Sequence, residues 1–293
     1  MRSGEPSHTA RGAAAHRAAH QRLEGGVIFT DRFAERMLDA EALTRLDAFA
    51  ADPTQRPMRL FIAARSRFSE DSLAACVAGG TRQVVVLGAG LDTFALRNPH
   101  AGVRVFEVDY PATQDWKRQR LAQADIAVPP WLTFAPVDFE RQSLADGLMA
   151  VGFDRTQSTF FQWLGVSMYL SRETLAATFG FIAGLPDSEV VFDYGEPLEN
   201  FPEDRRAQLT VLAERTARAG EPWLSLFDRA GIAALLQDNG MAVIEDLGAA
   251  ELAARFYASI PYQVEGIAGP HVVRARSCAN RDMVSGPSHT DRS

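Results

Sequence analysis

A run of β-branched residues followed by two glycines constrains the fold of this chain most strongly. The segment 83–97 reads QVVVLGAGLDTFALR. Residues 84–87 are continuously apolar, which is typical of a strand in the middle of a parallel sheet that helices cover on both faces. Gly88 and Gly90 permit a sharp turn and let a ligand approach main-chain atoms that a Cβ would shield. The segment therefore predicts a strand, a tight turn and a helix beside a nucleotide site.

A second predicted strand, VRVFEVDYP, ends in two acidic residues. Thr93 occupies the position of the third glycine in a dinucleotide fingerprint, so the glycine turn alone is not specific. Glu107 and Asp109 follow it by about twenty residues, where a carboxylate meets the hydroxyls of a ribose. The combination predicts a site for the ribose of a nucleotide.

A third predicted strand, WLTFAPVDF, ends at Asp138 and is followed by Phe139. In an open parallel sheet, ligands bind outside the carboxyl ends of the strands. Asp138 is suited to accept a hydrogen bond from an adenine amino group, and Phe139 offers the base an apolar face. Three consecutive strand ends thus predict an adenosine pocket, which would suit a nicotinamide dinucleotide or S-adenosylmethionine equally well.

From Arg82 onward, strands alternate with helices, a pattern typical of βαβ units with right-handed crossovers. Four further strands are predicted at 158–170, 188–197, 242–247 and 271–276. We therefore expect an α/β fold with a doubly wound, mostly parallel seven-stranded sheet. Helices are expected over 202–219 and 225–239, the second with Ser225 and Asp228 at its start.

The chain divides by pattern into a helical N-terminal region, 1–80, and a core, 81–278. Asp31 is expected to cap a helix in the first region, because apolar residues follow it at helical spacing as far as Phe49. A helical insertion at about 200–240 interrupts the core. The polar segment 279–293 is predicted to be a flexible tail.

Composition excludes several classes of function. The chain has 293 residues, 46% of them hydrophobic, and a net charge of −7 without a long basic run, so a nucleic-acid partner or an acidic membrane surface is not expected. Cys76 and Cys278 are too few for a disulfide framework or a metal cluster. No segment is long and apolar enough to span a membrane, and no signal peptide is recognisable. We expect a cytoplasmic protein, a monomer or homodimer, with a small-molecule substrate.

Five motifs in order resemble the leucine carboxyl methyltransferase family: LGAGLDTFALR, VFEVDYP, PVDF, WLGVSMYLS and VVFDYGEP, with FTDRFAERML and ARSRF ahead of them. That family includes protein-phosphatase carboxyl methyltransferases and bacterial O-methyltransferases of secondary metabolism. The resemblance runs from about Thr9 to about Arg276. It implies a class I S-adenosylmethionine-dependent methyltransferase fold with a lid formed by the N-terminal helices and the late insertion.

The resemblance also implies roles for individual residues. It places Gly88 and Gly90, with Ala89 between them, beside the methionine portion of S-adenosylmethionine, Asp109 on the ribose, and Asp138 with Phe139 at the adenine. Arg65 matches the arginine that pairs with the methionine carboxylate, and a forked cation suits that role.

One position departs from the family pattern. The family usually has glutamate in a WEG or AEG sequence before the MYL segment, and Leu164 stands there in this chain. Leu164 is nevertheless predicted to lie at the cofactor. Glu107 or Gln162 is expected to replace the missing glutamate carboxylate. Leu164→Glu is then expected to keep or improve cofactor affinity.

The acceptor is predicted to be an oxygen of a small molecule, with a carboxylate favoured over a hydroxyl. A carboxylate, with a pKa near ~4, is already ionised at neutral pH, whereas a hydroxyl usually needs a general base. No base is evident at the strand ends, and the candidates for positioning the acceptor are Tyr169, Tyr194, His16 and His20. His16 and His20 have the i, i+4 spacing of a zinc pair but no partner motif, so no metal site is predicted.

Two alternatives remain open at this point. A nicotinamide-dependent oxidoreductase could use the same glycine turn and Asp109, although the chain shows no catalytic Tyr-x-x-x-Lys near the fourth strand. A catalytically inactive regulatory protein could retain the adenosine pocket, and Leu164 favours that alternative.

Overall fold

The computed structural model describes residues 8–138, 142–264 and 268–278. A seven-stranded sheet is formed by β1 (Gln83–Leu87), β2 (Arg104–Asp109), β3 (Leu132–Pro136), β4 (Thr159–Trp163), β5 (Glu189–Tyr194), β6 (Met241–Leu247) and β7 (His271–Ser277). The strand order is β3-β2-β1-β4-β5-β7-β6, and the first five strands pair in parallel. β7 lies antiparallel between β5 and β6. The order reverses between β1 and β4, so the ligand site is expected beyond these two strands.

Helices precede the sheet, connect its strands and cover its faces: α1 (His8–Leu23), α2 (Ala40–Ala51), α3 (Arg56–Ala78), α4 (Phe94–Arg97), α5 (Pro111–Gln123), α6 (Leu144–Ala150), α7 (Arg172–Ala183), α8 (Glu203–Arg218), α9 (Arg229–Asp238) and α10 (Ala249–Phe256). Within the described ranges, none of them is long and apolar enough to cross a membrane. The α/β fold with its mostly parallel seven-stranded sheet is as predicted.

Strand β1 is buried along its whole length because both of its faces are covered. Val84 and Val86 pack in a hydrophobic cluster with residues of α1, α2 and α3. Val85 and Leu87 point to the other face and pack with residues of α6, α7 and α9. The run is continuously apolar because alternate side chains enter two separate hydrophobic cores, as expected for a strand in the middle of a covered parallel sheet.

The predicted fourth strand is wrong in its length. β4 ends at Trp163, and a short 3₁₀ helix, Ser167–Tyr169, follows. Gly165 has φ of +75°, in the left-handed region, and its N–H donates to the side chain of Asp193 in β5 and not to a backbone oxygen of the sheet. The segment 164–170 therefore leaves the sheet at the carboxyl end of β4.

Two predicted helix starts are also wrong. Asp31 caps no long helix, because α2 begins at Ala40 with the Asp39 side chain as its cap. α9 begins at Arg229 and not at Ser225, while Asp228, which was also predicted at its start, caps it by accepting from the Gly231 N–H. Among residues 8–80, which the structure describes, most lie in α1, α2 and α3, and α8 covers most of the segment 202–219. The predicted tail, 279–293, lies outside the described residues.

Candidate functional site

The turn after β1 needs glycine at two positions. Gly88 and Gly90 have φ of +62° and +46°, which disfavour any residue with a Cβ. A Cβ on Gly88 would lie 2.5 Å from a methyl group of Val166, and one on Gly90 would lie 2.9 Å from the Cβ of Ala10 in α1. The turn is therefore packed against both the segment after β4 and the N-terminal helix.

Asp109, the last residue of β2, holds this turn. Its carboxylate accepts from the Gly90 N–H at 2.6 Å and from the Tyr110 N–H at 2.7 Å. Burial raises the pKa of Asp109, and these backbone hydrogen bonds act in the opposite direction. The acid thus shapes the glycine turn besides facing the ligand side.

A cavity of about 280 Å³ opens at this edge of the sheet, and we call it the glycine-turn cavity. It lies between the turn 88–90, the helices α1 and α3, the segment after β4, and residues 220–222 of the insertion. The cavity wall includes seven of the predicted site residues: Arg65, Gly88, Ala89, Gly90, Asp109, Leu164 and Tyr169. Folding therefore brings residues from four separate motifs to one place.

Glu107 lies outside the wall of the glycine-turn cavity. Its side chain is fully buried and pairs with the Lys117 ammonium at 2.6 Å. Lys117 also donates to the backbone oxygen of Asp92 at 2.7 Å. Burial raises the pKa of Glu107 to about 6, although Lys117 opposes the shift. Through Lys117, Glu107 therefore stabilises the loop that carries Asp92.

The two histidines of α1 are also outside the cavity wall. Burial, with the nearby charges of Arg59 and Arg65, lowers the pKa of His16 to about 3, so this imidazole is neutral at physiological pH. Its ring packs edge-on against Phe49, with centroids 4.8 Å apart. His20 contacts Glu24 at 3.2 Å through Nδ1 and accepts from the Ile28 N–H through Nε2. Both side chains hold the N-terminal region together.

The two predicted tyrosines have different surroundings. Tyr169 lines the cavity, and burial together with Glu221 and Asp193 raises the pKa of its phenol to about 12. Tyr194 lies elsewhere, with its hydroxyl donating to Asp246 at 2.9 Å and its ring stacked on His271. Only Tyr169 is placed to contact a ligand in the cavity.

Asp138 is half-buried, two residues beyond the end of β3, and does not belong to the cavity wall. Phe139, the other predicted adenine contact, lies outside the described residues. Within the described ranges, no group of three or more His, Cys, Asp or Glu side chains has the arrangement of a metal site.

Sequence reasoning missed the partner of Arg65. The guanidinium donates to the Asp193 carboxylate at 2.5 Å, and the N–H of Gly165 donates to the same carboxylate. A Cβ on Gly165 would lie 2.9 Å from a terminal nitrogen of Arg65, so the arginine packs closely against this glycine. Arg65 Nε is buried without a hydrogen-bond partner in the described structure. The signal for Asp193 was its place at the end of the fifth strand.

Arg17 and Asp92 are further wall residues that the motifs did not single out. Arg17, in α1, donates to the backbone oxygen of Leu91 at 2.6 Å and to the buried Asp31 at 3.1 Å. Thr93 donates to the same carboxylate at 2.7 Å. Asp31 therefore joins α1 to the glycine turn, which explains its polar character within an apolar segment.

A family model, leucine carboxyl methyltransferase, matches residues 10–183, which is more than half of the chain. The chain belongs to the leucine carboxyl methyltransferase family. Its similarity to YktD of Bacillus subtilis strain 168, a provisionally assigned S-adenosyl-L-methionine-dependent methyltransferase, is 30% identity over 94% of this chain and 99% of YktD. A Mycobacterium marinum protein with the same provisional assignment is 33% identical over 72% of this chain and 73% of its own.

A solved structure supports the fold of this family member. The crystal structure of a provisionally assigned methyltransferase from Thermobifida fusca YX has a TM-score of 0.59 to this chain, covering 95% of it and 97% of the solved chain. Sequence identity is 17%, so the likeness concerns the fold alone. The predicted family, fold class and assignment to the methyltransferases are confirmed. The oxidoreductase alternative is thereby excluded.

Proposed function

We propose that this leucine carboxyl methyltransferase family member binds S-adenosylmethionine in the glycine-turn cavity and methylates a carboxylate of a small molecule. Its relatives carry S-adenosyl-L-methionine in their names, which supports the predicted cofactor. The acceptor class is our own inference. It depends on one observation, the absence of histidine from the described wall of the cavity.

Several wall residues support cofactor binding at this place. Gly88 and Gly90 allow the tight turn that lines the cavity, and we assign Asp109, on the same wall, to the ribose hydroxyls. We assign Arg65 to the methionine carboxylate, because it lines the cavity and its Nε has no hydrogen-bond partner within the described structure. The contacts of Asp138 and Phe139 with the adenine, which the family resemblance implies, remain part of the proposal.

The bound cofactor supplies a methyl group made electrophilic by its sulfonium. The protein then has to hold an acceptor oxygen behind that methyl and exclude water. Such positioning contributes ~7 to 11 kcal/mol in well-oriented systems. α1 and the segment 220–222 are suited to close the cavity, since the Thr9 N–H donates to Glu221 across it at 3.3 Å. We propose that the N-terminal region, 1–80, and the insertion at about 200–240 form this lid.

A carboxylate acceptor fits the chemistry of the wall. Tyr169, with its raised pKa, stays protonated at neutral pH and is a hydrogen-bond donor rather than a base. The acidic wall residues are engaged: Asp109 with backbone N–H groups, Asp92 with the Phe94 N–H at 2.7 Å, and Glu221 with Thr9. An acceptor that is already ionised needs no base.

Two measurements test the proposal. Calorimetry with S-adenosylmethionine, S-adenosylhomocysteine and NAD is expected to show binding of the first two and not of NAD. Single-turnover methyl transfer is then measured with a panel of small carboxylic acids and matched alcohols and phenols. A rate that is flat from about pH 6 to about pH 9, with an ester product cleaved by mild alkali, is expected.

Other outcomes would contradict the proposal. A rate that rises through a pKa near ~7 and gives an alkali-stable ether would show methylation of a hydroxyl. Cofactor binding without transfer to any acceptor would support the alternative of an inactive regulatory protein.

A further inference from the structure

We propose that the side-chain oxygen of Gln162 accepts a hydrogen bond from the α-ammonium group of the cofactor's methionine portion, in place of the carboxylate that Leu164 lacks. The inference rests on the proposed function, because it assigns a residue to the same cavity. It assigns a further cofactor-binding residue.

The position of Gln162 follows from the sheet register. Gln162 pairs with Val86 of β1, and Val86 pairs with Glu107 of β2, so the three side chains lie in a row on one face. That face carries α1 and α3. Gln162 is only 3% exposed, yet it belongs to the wall of the glycine-turn cavity. It is therefore a buried polar side chain next to the ligand space.

The oxygen of this side chain is the atom without a partner. Gln162 Nε2 donates to the Asp92 carboxylate at 3.2 Å, whereas Oε1 is buried and has no hydrogen bond within the described structure. An ionised carboxylate only accepts, so the amide must turn its NH₂ group toward Asp92 and its oxygen away from it. A buried acceptor without a hydrogen bond destabilises the folded protein unless a ligand supplies the donor.

The charges around the cavity favour an ammonium group as that donor. Asp92, hydrogen-bonded to Gln162, also lines the cavity and provides a negative charge beside the free oxygen. Arg65 is on the same wall and suits the carboxylate of an amino acid. A zwitterionic amino-acid portion would thus meet an acceptor and a cation at once.

Two other acidic side chains are less suited to this role. Asp193, which follows the residue paired with Trp163, binds Arg65 and the Gly165 N–H. Glu107, the second substitute that the sequence suggested, has one buried oxygen without a partner, but its other oxygen binds Lys117 and the residue lies outside the wall. Gln162 is the better placed of the two suggested residues.

Calorimetry with four ligands tests the assignment. The ligands are S-adenosylhomocysteine, its decarboxylated analogue, its deaminated analogue, and 5′-methylthioadenosine, which lacks both charged groups. Gln162→Leu is expected to weaken the first two, which carry the ammonium, about tenfold. It is expected to change the last two by less than about twofold, because they do not reach the amide oxygen.

A matched control and a rescue complete the experiment. Gln114 is equally buried, at 3% exposure, and lies outside the wall, so Gln114→Leu should leave all four affinities unchanged. Leu164→Glu added to Gln162→Leu is expected to restore binding of the two ammonium ligands. Should Gln162→Leu not fold, Gln162→Met replaces it, since methionine has similar length and no strong acceptor.

Two results would overturn the inference and are distinguishable from failure of the proposed function. Equal affinities of Gln162→Leu and the unchanged protein for S-adenosylhomocysteine would show that the amide oxygen has no role. Equal weakening of 5′-methylthioadenosine would show a purely structural glutamine. If the unchanged protein binds none of the four ligands, the proposed function itself fails.

Discussion

Two groups of residues in the wall of the glycine-turn cavity are held together in different ways. The first group is the turn 88–90 and Asp109, which are joined by a hydrogen bond from the Gly90 N–H to the Asp109 side chain, 19 residues away. The second group is joined by side chains that are distant in the chain: Arg65 with Asp193, 128 residues apart, and Gln162 with Asp92, 70 apart. The first group is a local motif, and the second is a product of tertiary folding.

The largest effect is expected from a substitution in the local motif. Gly88→Ala places a Cβ 2.5 Å from Val166, so the turn must move and the affinity for S-adenosylhomocysteine should fall about 100-fold, or about 3 kcal/mol. Gly102→Ala is the control, because Gly102 has φ of +75° and open space around it. This control should lose about 1 kcal/mol of unfolding free energy without losing affinity. Unchanged affinity in Gly88→Ala would show that the turn does not contact the cofactor.

Two acids on one strand provide the second test. Asp109→Ala should weaken S-adenosylhomocysteine and 5′-methylthioadenosine alike, by roughly 2 kcal/mol, because both ligands contain the ribose. Glu107→Gln should instead lower the unfolding free energy by about 3 kcal/mol, since it leaves the Lys117 charge buried without its partner. Calorimetry and denaturant unfolding separate the two effects. If Glu107→Gln instead lost affinity for S-adenosylhomocysteine at unchanged stability, Glu107 would be a cofactor-binding residue.

A third test concerns His16, whose pKa is lowered in part by the charge of Arg65. Because the pKa of His16 is lowered to about 3 in the folded chain, the unfolded chain takes up the proton first as pH falls below about 6.5. Because of His16, the free energy of unfolding should therefore be about 2 kcal/mol lower at about pH 5 than at about pH 8. In His16→Leu this part of the pH dependence should disappear.

His271 is the control of opposite sign. Burial lowers its pKa, but hydrogen bonds with Asp246 and Glu196 outweigh burial and raise it. Its contribution is therefore present at low pH and is lost as pH rises through the raised pKa. An unchanged pH profile of unfolding in His16→Leu would contradict the neutral state assigned to His16.

The smallest of these effects is expected from Arg65, which we propose to bind the methionine carboxylate. Arg65→Lys keeps the charge but loses the planar fork, so the affinity for S-adenosylhomocysteine should fall about tenfold. 5′-Methylthioadenosine, which has no carboxylate, should bind within about twofold of its normal affinity. Equal weakening of both ligands would show that Arg65 acts only through Asp193 and the shape of the cavity.

The arrangement of the turn 88–90 and Asp109 was predictable because these residues belong to one local strand and turn pattern. An apolar run, two glycines and an acid at the next strand end have one common arrangement in a parallel sheet. Glu107 shows the limit of this reasoning. It is two residues from Asp109 and therefore on the same face of β2, but Lys117 of α5 lies over it. The strand pattern identifies the face and does not say which residue a helix will cover.

The chain by itself determined the sheet, the glycine turn, Asp109 and the family, since each depends on periodicity or on contiguous motifs. Tertiary structure alone decided that His16 and Tyr194 lie away from the cavity, that Asp193 engages Arg65, and that the oxygen of Gln162 has no partner among the described residues. The physical reason is that hydrogen bonding and burial depend on which side chains meet after folding. The spacing of neighbouring residues does not predict a partner that lies 128 residues away in the chain.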